Sequence, residues 1–347
     1  MSAAQASMWY AWPWRCSGPR IFARRARVYR NDRVHLDYLA LLPDMAPLTS
    51  THVEARMNID TSHFHRQSMS RLSYVGEYLE REGYNLNGTR VQHHLKIVRA
   101  FLDTSELTDE EAWALVELNE LYVIIKVAER RGGISREEIS ICLKGVHYLA
   151  DETSNSSGNK ARNFCFQLYV ISNMLAFGMK VDIPSHGEEA DIRFMYDDVS
   201  VPVECKRLFA ERGVEKIAKK TCSQVSKRVS KGNHGIAALS LSREFWTAEE
   251  GAVTESIQDA RDKVERLYGQ WRNTLAKVLK QYPKVALIYI NIQFPYIGTD
   301  NLYCVYERKF FRTRSNYIDL PGGGVAQHFI ESMMTLGLME EISHDDQ

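Results

Sequence analysis

None of the six cysteines, Cys16, Cys142, Cys165, Cys205, Cys222 and Cys304, forms a C-x-x-C pair. A zinc site or a redox dithiol needs such clustering, and a disulfide framework needs a denser set in a shorter chain. Several of the six sit in apolar runs, so buried thiols in a reducing compartment are expected. No uninterrupted apolar run approaches the roughly 20 residues that span a bilayer. The chain therefore reads as soluble and cytoplasmic, with no membrane partner. Net charge is missing as well, since 44 Lys and Arg balance 44 Asp and Glu. That balance excludes a wholly basic coat, so any contact with nucleic acid has to rest on a local patch. Nucleotide-binding loops are absent too. Gly322-Gly323-Gly324 has neither a Walker lysine-serine pair nor a G-x-G-x-x-G pattern, and it reads as a turn into a C-terminal helix.

What is present is an ordinary globular composition, 44% hydrophobic and 25% charged over 347 residues, with room for one medium domain and a smaller one. Residues 1–57 stand apart. The aromatic stretch Met8 to Trp14 is followed by Arg15, Arg20, Arg24, Arg25, Arg27 and Arg30 before the first acid, Asp32. The charges come after the apolar stretch, so a secretory signal does not fit. A leader without stable fold is expected there, or a start codon at Met45 or Met57. From 58 to 152 the pattern is helical. Leu72, Val75 and Leu79 mark one helix, Val91, Leu95, Val98 and Leu102 a second. Thr108-Asp109-Glu110-Glu111 opens a third, ending at Gly132-Gly133, and Ser135-Arg136-Glu137-Glu138 opens a fourth that runs to Leu149. Such a subdomain suits protein contacts, dimerisation or DNA docking. Adjacent helical positions point about 100° apart, so His93-His94 reads as two ordinary histidines and not as a metal pair. Asp151 to Gly158 (DETSNSSG) reads as a linker.

The chemistry gathers between 159 and 294. Asn159 to Phe177 reads as a helix with Phe164, Leu168, Ile171 and Leu175 at spacings of three and four, stopped by Gly178. Met179 to Ile183 is a short strand candidate. Ala190-Asp191-Ile192-Arg193-Phe194 and Val201-Pro202-Val203-Glu204-Cys205-Lys206-Arg207 then read as two strands of a hairpin turning across Tyr196 to Ser200. With a side-chain period of two, Glu204 and Lys206 share one face while Val201, Val203 and Cys205 share the other. Pairing the apolar faces puts Asp191 beside Glu204 and Lys206. Two carboxylates can hold a hard cation through oxygen, and an ammonium can sit beside an attacking water or a phosphate. A basic helix follows from about Val214 to Val229, then apolar strands at Ile236 to Leu241 and Val285 to Ile292, with a further strand from Asn301 to Lys309.

Asp191, then Glu204-x-Lys206 on an apolar strand, with a helix ahead and a strand-helix-strand order around them, resembles the core of the PD-(D/E)xK nuclease superfamily. The resemblance covers residues 159 to 294. It implies an α/β, restriction-endonuclease-like mixed central sheet flanked by helices, in a domain of residues 153–312. The all-helical subdomain would precede it, and a C-terminal turn and helix (313–347) would follow. It implies a Mg²⁺-dependent nuclease acting on DNA, with Mn²⁺ and other nucleic acids as alternatives. Asp191, Glu204 and the main-chain carbonyl of Cys205 would be the metal ligands, and Lys206 would be catalytic with the two acids. The family often carries a Glu on the first core helix, where this chain has Gln167; an amide offers a carbonyl oxygen but no charge. Gln224 resembles the trailing glutamine of RecB-type branches. Lys216, Lys220, Lys227 and Lys231 form a basic stripe for phosphate contacts. The alternative is a catalytically silent nuclease-fold protein that binds nucleic acid or a protein partner. The nuclease reading expects the Asp191 and Glu204 carboxylates within about 6 Å of each other, with Gln167 facing Asp191.

Overall fold

The computed structural model of the chain describes residues 69–104, 107–149, 151, 157–184, 190–208, 213–248, 253–254, 256–297, 303–313 and 322–334. All of them fall in one compact unit, Glu54–Gln347. The expected leader, residues 1–57, lies outside the described residues.

The N-terminal helices are α1 (Met69–Arg81), α2 (Arg90–Thr104), α3 (Asp109–Arg131) and α4 (Arg136–Cys142). Thr108 and Ser135 cap α3 and α4 through reciprocal boxes with Glu111 and Glu138, satisfying amides that the first turn leaves open. α4 ends at Cys142 and does not continue to Leu149, as the sequence pattern predicts. The cause is competition for carbonyls. Arg90 of α2 donates to the carbonyls of Cys142 and Lys144, and Arg162 donates to those of Val146 and His147. Oxygens that a longer helix would use for its own amides are turned inward to two buried guanidinium groups, and Gly145 at φ 112° bends the chain between them.

α5 (Ser157–Phe177) is buried on several sides, with Phe166, Leu168, Tyr169, Val170, Ile171 and Met174 all inaccessible. A helix apolar most of the way round belongs between layers, and α5 lies between α3 and the sheet. It ends as its sequence predicts. Gly178 takes φ 91°, the Met179 amide donates to Met174 and the Gly178 amide to Leu175, the pattern of a glycine-terminated helix.

The sheet is mixed and six-stranded, in the order β1-β2-β3-β4-β5-β6. Its strands are β1 (Val181–Asp182), β2 (Ile192–Tyr196), β3 (Val199–Arg207), β4 (Gly235–Ser240), β5 (Val285–Ile297) and β6 (Tyr303–Thr313). β3, β4 and β5 are parallel and the other pairs antiparallel. The parallel steps require crossovers, supplied by α6 (Val214–Arg228) between β3 and β4 and by α7 (Ser242–Ala248) and α8 (Ile257–Gln281) between β4 and β5. β2 and β3 pair with Ile192 opposite Val203 and Phe194 opposite Val201, so their apolar faces coincide. The hairpin turns through Asp197 and Asp198, at φ 46° and 61°, the left-handed pair that suits a two-residue loop.

Helices cover both faces of the sheet. α5 and α3 lie on the face of Cys205, and α6 and α8 on the face of Glu204. This explains why Val203, Glu204 and Cys205 are all fully buried. Under β5 and β6, on the α5 face, Glu307 accepts hydrogen bonds from Tyr169, Asn291 and Gln293, while Lys309 reaches Asn173 and the Met333 carbonyl. Burial lowers the Lys309 pKa. One apolar cluster runs without break from Leu72 to Met333. Last comes α9 (Gly323–Met334), which packs on α5 and β5. Its Gly324 lies directly against the Tyr196 hydroxyl, with no room for a Cβ. His328 of α9 stands 5.4 Å from both the Tyr196 and the Phe177 rings, so the helix closes over the hairpin.

Candidate active site

β2 begins at Ile192, opposite Val203, so among the described residues β3 runs on from Glu204 to Arg207 with no strand neighbour on that side. Its exposed ladder groups have to be satisfied by side chains. Asp191, just ahead of β2, accepts the Cys205 amide on Oδ2 at 2.8 Å, and Asn163 of α5 accepts the Arg207 amide at 2.9 Å. The same Oδ2 receives Lys206 Nζ at 2.8 Å, and that ammonium lies 3.8 Å from Glu204 Oε2. Lys206 thus bridges the two acids. Gln167 of α5 donates its amide to the main-chain carbonyl of Asp191. It therefore faces Asp191, but fixes the backbone of the acid and not its carboxylate. In a strand the N–H and C=O of one residue point to the same side, so the Cys205 carbonyl faces the gap that Asp191 borders.

Glu204 is fully buried, whereas Asp191 and Lys206 keep 23% and 20% of their side-chain exposure. The site therefore has a dry floor and an open mouth. Arg228, in the last turn of α6, binds Glu204 Oε1, while Oε2 has no hydrogen-bond partner. Asp191, Glu204, Lys206 and Arg228 together form an electrically balanced quartet. Burial, and then the charge of Asp191, pushes the Cys205 thiol well up, so the sulfur is a poor nucleophile and serves the core.

Among the described residues no group of three or more His, Cys, Asp or Glu gathers to hold a metal. Two carboxylates beside a carbonyl still fit a small hard cation, because Mg²⁺ binds through one or two carboxylates and keeps several waters. The buried Glu204 oxygen without a donor is the atom that would take such an ion.

Of the lysine stripe, Lys216, Lys220 and Lys227 lie exposed on α6. Lys231 is exposed too, but it sits in the turn beyond the helix, so the stripe is shorter than the sequence pattern predicts. Gln224 is half-buried, and its Oε1 is enclosed without a hydrogen-bond partner, one turn before Arg228. In the sequence Arg228 is only one more base of the helix expected from about Val214 to Val229. The signal that marks it is its spacing of four from Gln224, toward the sheet side of α6. Asn163 carried no signal, because its partner is a strand amide freed by the short β2.

Behind the site lies a buried ionic web. Arg207, next to Lys206, approaches Glu120 of α3 at 3.6 Å, and Glu117 of α3 binds Arg90 and Arg162. Trp113 donates to Glu117 at 3.0 Å. Burial raises the Glu120 pKa and lowers that of Arg90 to about 9. The end of β3 is thereby tied to the N-terminal helices. Among the described residues no helix is long and apolar enough to cross a membrane. Compared with known protein families, with curated proteins and with solved structures, the chain matches none.

Proposed function

We propose that this chain is a metal-dependent nuclease of the PD-(D/E)xK type that hydrolyses phosphodiester bonds in DNA. The observation that supports this reading is the convergence of Asp191, Glu204 and Lys206 on the open edge of β3. Asp191 and Glu204, with the Cys205 carbonyl, would hold Mg²⁺ or Mn²⁺. A divalent cation there would supply Lewis-acid polarisation of the phosphate and lower the pKa of a bound water. Lys206 would then exchange its contact with Asp191 for the charge developing on the phosphate. Gln167 and Asn163 hold the backbone on both sides of the gap, so the acids need little rearrangement. The exposed lysines of α6 would meet phosphates beside the site. In plasmid assays the wild type should cut only with Mg²⁺ or Mn²⁺. Lys206→Ala should lose about 100-fold or more of that rate while still binding DNA.

A second reading is favoured by the paired state of both acids and by the amide at Gln167. On it, the protein keeps the nuclease fold and binds nucleic acid or a protein partner without cutting. Binding of DNA with no cleavage under either metal would select it.

A further inference from the structure

The quartet leaves one side chain without a role in that chemistry. Arg228 reaches from α6 to a carboxylate that is wholly buried and whose other oxygen has no hydrogen-bond donor. Its own side chain remains 19% exposed, and Lys227 beside it is in solvent. Arg228 therefore stands between the carboxylate floor and the basic face. A buried carboxylate needs a counter-charge, and a guanidinium can satisfy a carboxylate or a phosphate with the same donor geometry.

We propose that Arg228 is an exchangeable counter-ion. It neutralises Glu204 in the free protein and transfers to a backbone phosphate when a divalent cation takes its place. This rests on the nuclease reading and adds a linkage to it. A cation at the unpartnered Oε2 would bring a second positive charge against Arg228 on Oε1 of the same carboxylate, so it binds the free protein weakly while Arg228 stays in place. A phosphate that accepts the released guanidinium removes that competition. Metal and nucleic acid therefore bind with positive cooperativity, and each tightens the other by the same factor.

Calorimetry with Mg²⁺ tests this, using the full chain with and without a saturating short phosphorothioate duplex, which slows cutting. The duplex should tighten Mg²⁺ binding to wild type about tenfold, within the usual range of such couplings. Arg228→Gln should bind Mg²⁺ about tenfold more tightly than wild type without duplex, and the duplex should add little. Arg228→Lys, which keeps the charge, should retain most of the coupling. Circular dichroism checks that the variants fold, and the wild-type coupling decides the matter if Arg228→Gln does not. Wild type that binds Mg²⁺ through Asp191, shown by loss in Asp191→Ala, and that cuts DNA without this coupling would overturn the exchange and leave the nuclease reading intact. So would Arg228→Gln binding Mg²⁺ no better than wild type. No Mg²⁺ binding under any condition would overturn both.

Discussion

At the scale of single residues, the site depends on groups that stand in for a missing strand neighbour. β2 stops at Ile192, and Asp191 and Asn163 take over the amides of Cys205 and Arg207. Gln167 belongs to the same arrangement, and this gives Gln167→Glu a two-sided outcome. The amide donates to the Asp191 carbonyl, which a carboxylate cannot do, so the two oxygens would repel. Without metal the variant should lose about 1–3 kcal/mol of stability, the cost of an unsatisfied buried group. On the nuclease reading Mg²⁺ should restore more of it than in wild type, because a third carboxylate then borders the gap. Thermal melts with and without Mg²⁺ measure both effects. Much of this constellation was legible in the sequence. Asp191, Glu204 and Lys206 follow from strand alternation and an apolar hairpin register. Arg228 and Asn163 were not, since their partners are set by the crossing of a helix over a strand end, which no local pattern encodes.

Elements tell the same story with different limits. The hairpin, α5 with its glycine stop, and α6 follow from periodicity and end signals. Residues 242–281 carry two helices with no counterpart among the elements expected from periodicity, and α4 falls short of its pattern because distant arginines claim its carbonyls. On α6 the exposed Lys220 and Lys227 supply the next expectation. Reversing both to Glu should weaken duplex binding to a similar degree for all sequences and flatten its dependence on salt, since phosphate contacts release counterions. Filter binding across a salt series measures it. α2 carries a pH effect. Burial, and then the charge of Arg90, holds the His94 pKa well below its usual value; Arg162 and His93 add to this, while the His147 carbonyl and the Glu117 carboxylate, 3.5 Å away, oppose it. The unfolded chain takes up a proton near pH 6.5 and folded His94 does not, so stability is retained above that pH and lost as the pH falls below it. The slope should approach about 1.4 kcal/mol per pH unit, with burial of His93 adding in the same direction. Urea denaturation between pH 7.5 and 5 should show the decline, and His94→Gln should flatten much of it.

Across the whole molecule, the N-terminal helices and the sheet share one apolar cluster and one ionic web, in which Glu117 and Glu120 of α3 bind residues of α2, α5 and β3. The candidate site is therefore held from two directions, by α3 behind Arg207 and by α9 over the hairpin. Sequence patterning gave each helix separately but not this convergence, because buried ion pairs between segments far apart in the chain leave no periodic trace. The α9 contact can be tested at one atom. Gly324→Ala would press a methyl group on the Tyr196 hydroxyl and should cost about 1–3 kcal/mol by overpacking. Adding Tyr196→Phe should return part of it, as paired melting curves would measure.

That contact also bears on the order in which the protein is made. Asp191, Glu204 and Lys206 leave the ribosome well before Gly323–Met334, the segment that presses on the back of their hairpin. A nascent chain synthesised only through β6 would carry all three residues, yet its hairpin would lack the lid of α9. The Tyr196 end of the hairpin would then stay uncovered until that helix docks.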